Sequence, residues 1–167
     1  MLAAADELHE LGAQESADAL ADGDVTYDEY LEAARRYQAC LRDVGVVIEG
    51  PHLSPVDNVW LLWQLPEEIS GGESVAAAVS SCDERWRPVA AAYIDTHEQR
   101  MDDGLQAAVV TCMAAAGYDL SGDESQVIDF MGEIESPPTP RMQDAERCIV
   151  ELSQRLFPEL PGVTVAY

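Results

Sequence analysis

Tyr37-Gln-Ala-Cys40-Leu-Arg-Asp-Val-Gly45 and Val109-Val-Thr-Cys112-Met-Ala-Ala-Ala-Gly117 are two copies of one frame, and their reading decides the fold. Each has the form of a helix's last turns, followed by a glycine suited to the left-handed conformation that stops a helix. After a comparable stretch, each is followed by one more cysteine inside a helical pattern, Cys82 and Cys148. Four cysteines permit three pairings, and spacing alone does not choose between them. The repeat favours Cys40 with Cys82 and Cys112 with Cys148, each bond fastening a helix end to a helix that returns later. Loops of that length contribute about 4 kcal/mol per bond in the chain-entropy model. There is no C-x-x-C, and Arg42 and Arg147 are the only bases within two residues of a cysteine, so the cysteines read as fasteners rather than as a redox centre.

Working outward, Ala3 to Ala21 carries Leu8, Leu11 and Leu20 among acids and reads as a helix. Thr26-Tyr-Asp-Glu29 is a capping box that opens the helix ending at Gly45. Val46-Val-Ile-Glu and Val59-Trp-Leu-Leu-Trp-Gln-Leu are rich in strand formers and flank the turn residues Ser54-Pro-Val-Asp-Asn58, which predicts a β-hairpin. Ser70-Gly-Gly-Glu73 starts a long helix to about Glu98, which Pro88 is expected to kink or divide. Helices follow over Asp103–Ala116, from Ser121-Gly-Asp-Glu124 through Met131, and from the cap pair Thr139-Pro140 to near Pro158. The expected architecture is a single domain over 1–167, mainly α with a small antiparallel hairpin and two disulfides. Flexible ends are expected at 1–5 and 159–167.

The 167 residues suffice for a real core, and 47% apolar content argues against a disordered tail. No run approaches the roughly 20 apolar residues of a bilayer helix. The chain has 32 acids, nine arginines, no lysine and a net charge of -23. Such a field disfavours nucleic acid and anionic lipid surfaces as partners and favours basic ones, with salt-dependent strength. The start Met1-Leu-Ala-Ala-Ala-Asp-Glu-Leu lacks the basic and long apolar stretches of a signal peptide, so an exported protein would have had its leader or lipid anchor removed.

The order of several segments resembles a group of small secreted or lipid-anchored actinobacterial proteins of unknown function. The matching stretches are Ala21-Asp-Gly-Asp-Val-Thr-Tyr-Asp-Glu-Tyr30, the frame at Cys40, Leu53-Ser-Pro-Val-Asp, Met101-Asp-Asp-Gly-Leu, and Cys112 through Glu124. The resemblance covers roughly Ala21 to Glu124. It implies an exported, disulfide-bridged domain and brings no activity or catalytic residues with it.

Three groups of residues carry possible chemistry. Asp18, Asp22, Asp24 and Glu29 run parallel to an EF-hand loop, with Gly23 at the turn, and would make a calcium-responsive module. Leu20 stands where a further oxygen ligand belongs, and a turn feeding the Thr26–Glu29 box accounts for the same residues. His9, His52 and His97 are scattered without a second zinc ligand at helical spacing, and no nucleophile or phosphate motif is present. A hydrolase would need a site assembled from distant segments. The third group is Trp60, Trp63, Trp86, Tyr93 and His52 as a ligand or interface surface. On a strand Trp60 and Trp63 face opposite ways, so one of them is expected near solvent. The reading is a non-catalytic extracytoplasmic binding or interaction module, without cofactor unless calcium. It would be a monomer or weak dimer, with a protein or small molecule as its partner.

Overall fold

Both cysteine frames end their helices with the same hydrogen bonds. The computed structural model of the chain describes residues 2–66, 72–163 and 165. Helix α3 (Tyr27–Asp43) closes with Val46 N–H donating to Leu41 C=O at 2.8 Å and Gly45 N–H to Arg42 C=O at 3.1 Å. Helix α5 (Asp103–Ala115) repeats this with Tyr118 to Met113 at 3.1 Å and Gly117 to Ala114 at 3.0 Å. These are Schellman motifs, and the stop glycines sit at φ +86° and +94°, where a side chain is strained. Each cysteine therefore occupies the same position relative to its helix end. The bridges are Cys40–Cys82 and Cys112–Cys148, with Cα atoms 5.9 and 6.0 Å apart.

By its contacts the chain divides into two compact units, each holding one bridge. Met1–Pro51 with Trp63–Glu98 form the first; His52–Leu62 with Gln99–Tyr167 form the second. The fold is mainly helical, with seven helices and one antiparallel hairpin among the described residues.

The first unit contains α1 (Leu2–Glu10), α2 (Gln14–Asp18), α3 and α4 (Gly72–Thr96). The helix expected over Ala3–Ala21 is broken in two, because Ala13 N–H turns back to Leu8 C=O at 2.8 Å and closes α1. The Thr26–Glu29 box forms as read, with Thr26 N–H donating to Glu29 Oε2 at 2.8 Å. Ser70 lies outside the described residues. Pro88 does not divide α4, which runs as one 25-residue helix. The proline forfeits one intrahelical hydrogen bond, and side chains on either side of it, Trp86 and Tyr93, are both anchored on α3. The core here gathers Leu41, Val46, Ile48 and Cys82.

The hairpin pairs β1 (Glu49–Leu53) with β2 (Leu61–Gln64), later in sequence than the strand formers suggest. Val46 is held by the Schellman turn and buried with Ile48 in the core, so pairing starts only at Glu49. On the other side the Asp57 carboxylate captures the N–H groups of Val59 and Trp60 at 2.9 and 2.8 Å, which delays β2 to Leu61.

The second unit packs α5, α6 (Val127–Met131) and α7 (Pro140–Leu156) around Leu105, Val109, Met113, Phe130, Met142 and Ile149. Ser121 and Glu124 pair as a capping box would, with Ser121 N–H donating to Glu124 Oε1 at 2.7 Å, yet no helix starts there. Gln106 Nε2 donates to Glu124 C=O and Met101 N–H to Ser125 C=O, drawing these carbonyls out of a helical pattern. Helix α6 starts only at Val127, with Asp129 accepting the N–H of Gln126 at 2.9 Å. Thr139 caps α7 and Pro140 is its first residue, as the sequence predicts.

Candidate functional site

The first unit's aromatic residues form one stacked column between α3 and α4. Tyr30 lies parallel to Tyr93 at 4.2 Å between ring centres and to Trp86 at 5.2 Å. Tyr37 continues the column beside Trp86, and Trp63 from β2 meets both edge-on. The imidazole of His97 stacks on Tyr93 at 3.9 Å and its Nδ1 donates to the Tyr93 carbonyl at 2.9 Å. Burial, with a hydrogen bond to Asp83, pushes the Tyr37 phenol well above its ordinary range. Burial, with the neighbouring Tyr27, also raises Tyr93 above its ordinary value. Stacked and partly desolvated rings of this kind act as packing.

Beside the column is a cavity of about 150 Å³ lined by Arg36, Tyr37, Arg85, Trp86, Glu15 and the Cys40–Cys82 bridge. Arg36 lies 3.9 Å from Glu15 and 3.6 Å from Glu32. Its Nε is buried and makes no hydrogen bond.

The second unit presents a different surface. A groove of about 270 Å³ is lined by Val56, Trp60, Leu61, Leu62, Gln99 and Val127. Trp60 is 52% exposed, the one tryptophan whose ring stands largely in solvent. Its position is fixed from below. Asp57 accepts from the backbone of Val59 and Trp60 and from Ser54 Oγ at 3.0 Å, and Trp60 C=O accepts from Ser54 N–H at 2.8 Å. The loop is tied to the chain beyond it by Arg100 N–H to Asp57 C=O and Asp102 N–H to Pro55 C=O, both 2.8 Å. These bonds fix the backbone from which the indole projects.

Of the expected ligand residues, Trp63, Trp86 and Tyr93 belong to the first unit's column, whereas Trp60 and His52 belong to the second unit. Only Trp60 lines the groove. Of the calcium set, Glu29 spends its carboxylate on Thr26, Asp22 accepts from Asp24 N–H at 3.2 Å, and Asp18 accepts from Gln14 at 2.8 Å. No group of three or more His, Cys, Asp or Glu is placed to hold a metal among the described residues. His9 bonds Gln14 at 2.8 Å.

Polar pairs in the second unit fasten segments together. Tyr118 donates to Asp144 at 3.0 Å, and Arg147 donates to the same carboxylate at 2.8 Å. The hydrogen bonds from Arg147 and Tyr118 hold Asp144 below the usual carboxylate range. Glu124 is lowered as well: burial alone would raise it, but backbone N–H groups and Ser121 prevail.

Two features escape a reading by sequence neighbours alone. Tyr30 with Tyr37 and Trp86 with Tyr93 are each seven apart, which places each pair on one helix stripe and marks the column. Arg36 and Arg85 stand one turn from Cys40 and Cys82, nearer in the folded helix than Arg42 would suggest. Comparison with protein-family models, curated proteins and solved structures finds no match for this chain.

Proposed function

We propose that this chain is a non-catalytic, extracytoplasmic interaction module that engages a basic protein partner through Trp60. The observation that carries the reading is the exposed indole of Trp60 at the rim of an apolar groove, held by the Asp57-centred loop. Exposed tryptophan anchors on rigid backbone supply much of the energy of protein interfaces. The groove is smaller than most small-molecule sites, at about 270 Å³, and suits one apolar side chain of a partner better than a cofactor. The charge of -23 selects basic partners and accelerates their encounter. The two bridges support an oxidising compartment, where such bonds persist. No helix among the described residues is long and apolar enough to cross a membrane.

A cationic amphipathic peptide of alternating lysine and leucine serves as the probe. Its affinity should fall about ten-fold in Trp60→Ala, the loss of a moderate hot spot. Equal affinity in the two proteins would refute Trp60 as the anchor.

A further inference from the structure

We propose that the Cys40–Cys82 bridge is a thiol–disulfide exchange site, activated by Arg36 and Arg85, while Cys112–Cys148 is structural. The two bridges close similar loops, yet only the first lines a cavity together with arginines. Side chains three or four positions apart on a helix are neighbours. For Cys40 and Cys82 those neighbours include Arg36, Tyr37, Arg85 and Trp86, all of which line the same solvent-open cavity as the bridge itself. Asp43 also lies three positions from Cys40; around Cys148 the equivalent positions hold Asp144, which pairs with Arg147, and Glu151, and Cys112 has only alanine and valine.

Of the two cations at the cavity, Arg36 is shared with Glu15 at 3.9 Å and Glu32 at 3.6 Å, and Arg85 is the one left without such a partner among the described residues. Arg36 Nε is buried without a hydrogen bond, its nearest carboxylate in the cavity being Glu15 at 3.9 Å. Arg85 forms no ion pair among the described residues. The lining thus carries two guanidiniums against the single carboxylate of Glu15. In a chain of charge -23, an attacking thiolate is repelled almost everywhere, and this cavity offsets that repulsion locally. Nearby cations also favour the departing thiolate.

The reductant is a small dithiol. One of its thiolates attacks Sγ of Cys40, a partly exposed residue whereas Cys82 is buried, forming a mixed disulfide while the S–S bond breaks and Cys82 Sγ leaves as a thiolate. The second thiolate of the reductant then attacks its own sulfur in the mixed disulfide. Cys40 is released as a thiolate, the reductant closes its internal disulfide, and both protein thiolates take protons from water. Two electrons pass from reductant to protein.

The test treats the oxidised full chain with dithiothreitol under native conditions, quenches with iodoacetamide and locates the alkylated cysteines by mass spectrometry. Cys40 and Cys82 should be labelled at least about ten-fold faster than Cys112 and Cys148, at a rate proportional to thiol concentration. Arg36→Gln with Arg85→Gln should remove most of that difference. Should the double variant not fold, wild type supplies the same information, because high salt screens the guanidiniums and should shrink the ratio between the bridges. Equal rates for the two bridges, or a ratio indifferent to both salt and the arginines, would overturn the proposal. Neither result bears on Trp60.

Discussion

The carboxylate of Asp57 accepts the backbone N–H of Trp60 at 2.8 Å, so a buried turn fixes where the exposed indole begins. The same carboxylate also holds Val59 N–H and Ser54 Oγ. Asp57→Ala should therefore lower unfolding free energy by about 2 kcal/mol, the usual cost of stranding donors that faced a charged acceptor. Denaturant titration measures this. Asp57→Ala should also weaken peptide binding, through loss of the loop's preorganisation.

The aromatic column makes Tyr30 the side chain with most to lose in the first unit. It is 1% exposed and stacked on two partners. Tyr30→Ala should cost about 3 to 5 kcal/mol, as other large-to-small core changes do. Chemical denaturation gives the cost, and the near-ultraviolet dichroism of the stacked rings should fall with it.

Gly45→Ala and Gly117→Ala isolate a backbone cost. A Cβ added at either glycine meets nothing within 4 Å, so only the positive φ resists it. Each change should destabilise by about 1 kcal/mol, with Asn in place of Ala costing less. Thermal unfolding of the four single variants checks the order.

These frames were legible in the sequence because a Schellman stop is written in local residues: a glycine, an apolar neighbour and a helix pattern before it. The bridge pairing followed from the repeat. The hairpin's start was not legible, since Val46 looks like a strand residue and is claimed instead by the turn back to Leu41. Likewise the Ser121–Glu124 pair has a capping-box sequence but forms only half of the box, and its helix is withheld by distant donors, Gln106 and Met101. Trp60 was legible only as one of two residues facing opposite ways. The choice between them rests on Asp57, three positions earlier, and on what each ring meets in space.

Acid should uncouple the Tyr118–Asp144–Arg147 fastening. Asp144 titrates below its ordinary value of 3.8, so its contribution is complete above that pH and is lost as pH falls through the lower folded value. Melting temperatures of wild type and Asp144→Asn should differ near neutrality and converge as the pH is taken below that lowered folded value. A difference that persists unchanged into that range would contradict the role given to the carboxylate.

The claim that Trp60 is the contact residue is tested most directly by calorimetric titration of the lysine–leucine peptide into wild type, Trp60→Ala and Trp86→Phe. At about 0.15 M and again at about 0.5 M salt, Trp60→Ala should bind about ten-fold more weakly than wild type, while Trp86→Phe binds as wild type does. All affinities should fall with salt, leaving the Trp60 ratio unchanged. A Trp60→Ala affinity within about two-fold of wild type, or an equal loss in Trp86→Phe, would contradict the account.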